Sequence, residues 1–201
     1  NVDFYALSLY KTYGPHHAAL YCRHEHLQEL DGLYHYFYGK DKVPAKMEPG
    51  NANYELSFAS GAIVDYLVTL GEQAGATGSN RKKLEAAFVD IEEQETILCK
   101  LVLNYLQKRN DCSILGIKDG SDPRKVPTIA FTVHNKDSEQ ICLSMDKHKI
   151  AIRFGDFHAR RLSDHLVLNK NNGAVRISLT HYNTVEEVAK LLASLDEVLA
   201  E

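Results

Sequence analysis

The chain has 201 residues, 44% hydrophobic and 25% charged, with a formal net charge of -4. This balance fits a globular protein with apolar surface for one core or two small ones, and it argues against a disordered acidic tail, a basic nucleic-acid-binding surface and a membrane span. The four cysteines, Cys22, Cys99, Cys112 and Cys142, form no C-x-x-C pair, so their spacing points to no zinc site.

The start, Asn-Val-Asp-Phe, has neither the basic region nor the apolar region of a signal peptide. The expectation is a cytoplasmic protein with reduced thiols. Because the chain begins with Asn1 and is strand-like at once, it reads as a fragment or a processed piece. Residues 2–7 form a predicted strand rich in β-formers and aromatics, and residues 17–22 a second, with Tyr13-Gly14-Pro15 breaking the two apart. Residues 31–53 carry many Tyr, Gly, Lys and Pro and no period. Such a loop either packs on its own domain or covers a pocket or partner. Residues 54–73 read as a helix that ends near Gly75 and Gly78.

Asn80 then caps a long predicted helix, in which Leu84, Phe88, Ile91, Leu98, Leu101, Val102 and Tyr105 recur at helical spacing. After Arg109-Asn110-Asp111 the texture changes. Strand-like runs at 113–117, 128–133, 150–154 and 174–180 alternate with a helix at 138–147 and a last helix capped by Thr184. Glu187, three residues after Thr184, completes a capping box, and Val188, Leu191, Leu192, Leu195 and Leu199 make the apolar face. The expected organisation is the end of an α/β domain over 1–78, then a linker helix and a small α+β domain over 79–201.

One lysine stands out in the opening run DFYALSLYKTYGPHHAALY. Lys11 either snorkels to the surface, pairs with a buried carboxylate, or is a desolvated amine acting as a nucleophile. Ser8 three residues earlier and Gly14-Pro15 just after favour a site. A hydroxyl and an amine leaving one strand end can hold the phosphate and the aldehyde of one cofactor, pyridoxal phosphate.

The segment DFYALSLYKTYGP resembles the lysine segment of the class V aminotransferase family of pyridoxal-phosphate enzymes, which contains cysteine desulfurases and selenocysteine lyases. MEPGNANYELSFASGAIVDYL (residues 47–67) resembles their Glu-x-Gly-Thr-Pro segment and the helix after it. GAVRISLTHYNTVEEVAKLLASL (residues 173–195) resembles their closing Arg-x-Ser-x-x-x-Tyr-Asn-Thr-x-x-Glu motif. The nearest subgroup is cysteine desulfurase-like. The resemblance implies fold-type I: the C-terminal part of a large α/β domain, then a small domain with a short antiparallel sheet and helices. It implies a homodimer acting on a small amino acid, with no nucleic acid or membrane as partner.

Residue by residue, the resemblance makes Lys11 the Schiff-base lysine and proton shuttle, Ser8 a phosphate donor, and Arg176 the grip on the substrate carboxylate. A guanidinium fork suits that bidentate task. On its own residue type, Arg176 also reads as an exposed strand arginine. Tyr10 stands where the family has a phosphate-binding His. Gly50-Asn51 stands where it has Gly-Thr reaching a neighbouring subunit's cofactor. IAIRFGDFHARRL (residues 150–162) resembles the loop Arg-x-Gly-x-x-Cys-Ala, with His158 at the cysteine position. A persulfide-forming nucleophile must be a thiolate, so persulfide chemistry does not carry over. His158 is either an acid/base or substrate contact, or a loop histidine without a chemical role. Phe157 and Arg160 are expected in the pocket wall. The family's phosphate-binding turn, the ring that stacks on the cofactor and the Asp facing its pyridinium nitrogen have no counterpart in these residues. Two readings stand: the C-terminal half of an amino-acid-transforming enzyme (transamination, β-elimination, C–S cleavage or epimerisation), or a non-catalytic dimerisation or binding piece.

Overall fold

A computed structural model describes residues 2–32, 36–48 and 50–200. The expected loop 31–53 lies partly outside them, at residues 33–35 and 49. The chain divides into two compact units, Asn1–Ala87 and Phe88–Glu201.

The first unit opens on an antiparallel hairpin, β1 (Phe4–Ser8) and β2 (Ala18–Cys22), in the register Phe4 to Cys22 through Ser8 to Ala18. A short helix the sequence pattern does not announce, α1 (His24–Glu29), follows. The expected helix over 54–73 is two helices, α2 (Tyr54–Ala59) and α3 (Ala62–Gln73), because the chain turns at Ser60-Gly61. The Asn53 side chain caps α2, accepting the Leu56 N–H at 2.9 Å. Gly75 and Gly78 take positive φ, 86° and 94°, and turn the chain into α4 (Asn80–Gln107). Gly71 is buried so tightly against the Lys83 backbone that no Cβ would fit. The side-chain acceptor at the start of α4 is Ser79, 3.5 Å from the Lys82 nitrogen, one residue before the expected Asn80.

The second unit is a four-stranded sheet backed by helices. Its strands are β3 (Cys112–Leu115), β4 (Thr128–Val133), β5 (Arg153–Gly155) and β6 (Ala174–Ser178), in the order β3-β4-β6-β5, every pair antiparallel. Strand alternation sorts the side chains. Ile129, Phe131 and Val133 of β4 and Val175 and Ile177 of β6 are buried in the core. They meet Leu98, Val102, Leu103 and Leu106 of α4, Met145 of α5 (Ser138–Lys147), and Val188, Leu191 and Leu195 of α7 (Val185–Ala200). Phe88, expected on the apolar face of α4, is exposed. A short α6 (Arg160–His165) follows β5.

The Thr184 capping box forms as the spacing predicts. The Thr184 N–H donates to Glu187 Oε2 at 3.0 Å and the Glu187 N–H donates to Thr184 Oγ1 at 3.2 Å. At the other end of this unit Arg109 clamps α4 to α7. It binds Asp111 through Nε and Nη2 at 2.9 and 2.7 Å and reaches Asp196 at 3.2 Å, which also accepts the Tyr105 hydroxyl at 2.8 Å. The guanidinium holds the Asp111 carboxyl below the usual range. Burial, then the bond to Asp196, pushes the Tyr105 phenol up to about 12.

Candidate active site

The sequence-predicted site residues fall in both units, and each group has its own local geometry. In the first unit, Ser8 ends β1 and residues Leu9–Lys11 make one turn of 3-10 helix. One carbonyl organises this turn. Leu9 O accepts the Thr12 N–H, the Thr12 hydroxyl and the Gly14 N–H at 2.9, 3.0 and 2.9 Å, while the Leu9 N–H donates to His17 O at 2.9 Å. A Cβ on Gly14 would collide with the Ile63 side chain and come within 2.9 Å of Leu9 O, so only glycine lets the turn close.

What the turn presents differs from the near-buried setting that the aromatic run suggests. Lys11 is exposed, and so are Phe4, Tyr5, Tyr10, Tyr13, Leu20 and Tyr21 around it. A two-stranded hairpin cannot bury both of its faces. The Lys11 ammonium lies 5.7 Å from the centre of the Tyr10 ring and has no hydrogen-bond or ion-pair partner among the described residues. Tyr10 in turn packs on His16 at 4.8 Å. The Ser8 side chain is half-buried and bonds no described residue. Gly50 and Asn51 are exposed, and the Asn51 amide is likewise unbonded among the described residues.

The buried lysine of this unit is Lys46, 1% exposed. It donates to Gln28 O at 3.2 Å and Leu30 O at 2.6 Å, carbonyls at the end of α1. A cation is suited to that place, because the last carbonyls of a helix lack intrahelical donors. Its role is to hold α1 against the segment 41–48.

In the second unit, Arg176 sits in β6 between the core residues Val175 and Ile177, so its side chain projects from the sheet face opposite the helices. It lines a cavity of about 380 Å³ with Arg153, Phe154, Gly155, Asp156, Phe157 and His158. The Arg176 guanidinium carbon lies 4.4 Å from the centre of the Phe157 ring, a cation–π contact. Its Nε is buried without a hydrogen-bond partner, and no described residue forms an ion pair with the group.

The loop that supplies Phe157 is strained. Phe157 and His158 both take left-handed φ, 53° and 62°, which costs about 1–2 kcal/mol per non-glycine residue. Asp156 holds them there: its Oδ1 accepts the His158 N–H at 3.0 Å and its carbonyl accepts the Ala159 N–H at 2.8 Å. Gly173 touches the Gly155 backbone so closely that no Cβ would fit between β6 and β5. Strain fixed in this way is a reason to test the loop for function. His158 is exposed, in the cavity wall, while Arg160 is turned to Asp164 at 3.0 Å in α6. Arg160 therefore braces the helix instead of shaping the wall as expected. In the sequence Arg153 stands at the Arg of the Arg-x-Gly-x-x-Cys-Ala motif without a role assigned to it, and Asp156 is not singled out. Arg153 has the same signature as Arg176, one arginine between apolar neighbours in a short strand, but only strand register brings the two together.

The motif Tyr182-Asn183-Thr184 near Arg176 has a local explanation. Asn183 Oδ1 accepts the Thr180 N–H at 2.9 Å and its amide donates to Glu187 at 3.1 Å. These residues lock the start of α7.

Among the described residues no helix is long and apolar enough to cross a membrane, and no cluster of His, Cys, Asp and Glu could hold a metal ion. Burial raises the thiols of Cys99, Cys112 and Cys142, the last two to about 11, so these are poor nucleophiles.

Comparison with known proteins adds the context. The family model described as Aminotransferase class-V matches residues 1–191. The aminotransferase-like protein FGM3 of Gibberella zeae is 33% identical over 98% of this chain and 46% of its own length. The cysteine desulfurase-like protein ustD of Aspergillus flavus is 30% identical over 99% of this chain and 43% of its own. The chain thus spans less than half the length of these relatives. Among solved structures, the cysteine desulfurase CsdA of Escherichia coli superposes with a TM-score of 0.74 at 23% identity, over 99% of this chain and 46% of that one. The cysteine desulfurase of Thermococcus onnurineus NA1 gives 0.73 at 23%, over 98% and 47%. These likenesses show the expected fold, a mixed α/β chain with a small antiparallel sheet and helices.

Proposed function

The chain belongs to the class-V aminotransferase family, and we propose that it is the lysine-bearing part of a pyridoxal-phosphate enzyme that transforms a small amino acid. The observation that carries this reading is the turn after β1. It presents an ammonium and a hydroxyl, three residues apart, with no hydrogen-bond or ion-pair partner among the described residues and a backbone fixed on one carbonyl. That donor set fits the cofactor: Lys11 would hold its aldehyde end and Ser8 a phosphate oxygen, with the Tyr10 hydroxyl as a further, uncharged donor. Asn51 would supply a donor to the same group in a neighbouring subunit. When bound, pyridoxal phosphate supplies an electron sink for charge left at the substrate Cα.

The chain's own residues divide the remaining work. Lys11 moves the proton at the substrate Cα, a task for an amine free of competing partners. Arg176 binds the substrate carboxylate. Its fork is held by Phe157, and its buried Nε has an unmet hydrogen bond that a carboxylate oxygen would satisfy. His158, exposed in the same cavity wall, contacts substrate or exchanges protons with it. The loop with His158 at that position argues for chemistry at the amino acid and against sulfur stored on the protein. In its longer form the protein is proposed to be a cytoplasmic homodimer. Exposed aromatics of the first unit, among them Tyr36 at 97% and Phe58 at 91%, are the surface for partner contacts.

The test is chemical. The protein is mixed with pyridoxal phosphate, reduced with borohydride, and digested for peptide mass spectrometry. A single pyridoxyl label on Lys11, absent from Lys11→Ala, is the expected result. Labels scattered over surface lysines, with the complementary half of the protein supplied, would overturn the reading.

A further inference from the structure

Strand register places Arg153 of β5 directly opposite Arg176 of β6. Directly opposed residues have Cβ atoms about 4.5–5.5 Å apart, on the same face of the sheet. Like charges in that relation are destabilising unless an acid nearby answers them. Here none does so. Neither arginine has an ion-pair or hydrogen-bond partner among the described residues. The one acid in the shared cavity wall, Asp156, is turned into its own loop to hold the His158 N–H. On the far side of Arg176 the opposed residue is Ala130, small and neutral. The cavity therefore carries two guanidinium groups and no bound counter-charge from the chain.

A single carboxylate on Arg176 leaves the second guanidinium unanswered. We propose that the substrate is a dicarboxylic amino acid, with Arg176 on its α-carboxylate and Arg153 on its side-chain carboxylate. This rests on the reading of Arg176 given above and adds the substrate class. Aspartate and glutamate each carry two carboxylates a few bonds apart, and opposed strand residues present their two guanidinium groups on one face of the sheet. Each guanidinium presents a planar fork suited to one of them. Phe157 holds one fork in place from above, while Arg153, more exposed, reads the variable end.

The experiment is isothermal titration of the full chain at low ionic strength with L-aspartate, L-glutamate, L-alanine and inorganic sulfate. The variants are Arg153→Gln, Arg153→Lys and Arg176→Gln. Wild type is expected to bind one of the dicarboxylic amino acids about tenfold tighter than L-alanine, the factor a second charged pair supplies. Arg153→Gln removes that preference by weakening the dicarboxylic amino acids far more than L-alanine, and Arg153→Lys keeps part of the preference. Arg176→Gln weakens all amino acids. Equal affinities in wild type, or a preference that survives Arg153→Gln, would overturn the substrate class and leave the Arg176 role standing. L-alanine binding that survives Arg176→Gln would overturn the Arg176 role itself and the inference with it. Sulfate binding that depends on both arginines, without any preference for a dicarboxylic amino acid, would make the pair a site for one compact anion and overturn the proposal.

Discussion

The two units carry chemistry on very different foundations. Phe88–Glu201 closes a core of its own, in which Phe131, Ile129, Leu98 and Leu195 have no exposed surface. In Asn1–Ala87 the only buried apolar side chains among the described residues are Leu67 and Ala87, and the hairpin that positions Lys11 is exposed along most of its length. The second unit holds Arg176 by packing beneath it. The first holds Lys11 by local devices, carbonyl Leu9 O and Gly14 pressed on Ile63, and elsewhere ties down α1 in the same way through Lys46. A functional residue can thus be fixed by a core or by a closed set of hydrogen bonds, and the two respond differently to mutation.

The sharpest test of that contrast is a matched pair of large apolar side chains. Phe131→Ala opens a cavity at the centre of the sheet and is expected to cost about 3–5 kcal/mol in chemical denaturation. Phe58→Ser removes a ring that is 91% exposed and is expected to change stability by less than about 0.5 kcal/mol. Similar costs for both would mean that Phe58 is covered in solution, and the contrast between units would fail there.

The hydrogen-bonded foundation of the first unit breaks at Lys46. Lys46→Met fills a similar space but leaves the carbonyls of Gln28 and Leu30 without their donor. The expected loss is about 1–3 kcal/mol, the cost of unmet buried groups. Hydrogen exchange should show it as faster opening of α1 and residues 41–48, with β4 and β6 unchanged. Protection lost equally in β4 would show that the units do not open separately.

The same contrast explains what the sequence makes legible. In the second unit each buried face meets a face from the same chain, so the period of the pattern equals the period of burial. Thr128–Val133, Ser138–Lys147 and the Thr184 cap appear where alternation, helical spacing and capping residues place them. In the first unit apolar residues do not mean burial. The aromatic run around Lys11 reads as interior and is surface, and the buried lysine is Lys46 in a loop that has no period at all. Arg176 and Arg153 each stand in a motif, but that the two lie opposite one another is not visible, because pairing between strands far apart in sequence is a property of register that no local pattern encodes.

The smallest effect compares one device in both units. Asn53 caps α2 and Thr184 caps α7, each through a side-chain oxygen that accepts an N–H three residues on. Thr184→Ala is expected to cost about 1 kcal/mol of global stability, because α7 is packed through Val188, Leu191 and Leu195 and its fraying loosens the whole core. Asn53→Ala should instead speed exchange within α2 and leave the denaturation midpoint of the second unit where it is, since α2 buries no residue. The Thr184 box also sets a pH signature. The Asn183 amide, then the Thr184 N–H, holds the Glu187 carboxyl below its ordinary value. A carboxyl depressed in the folded state stabilises above its unfolded pKa, and that contribution is lost as pH falls through the folded one. Wild type should therefore lose stability on acidification below about pH 4.3, the ordinary glutamate value, by more than Glu187→Gln does over the same range. Parallel acid profiles would mean that the box closes through Thr184 alone, and the cap of α7 would then be no stronger in kind than the cap of α2.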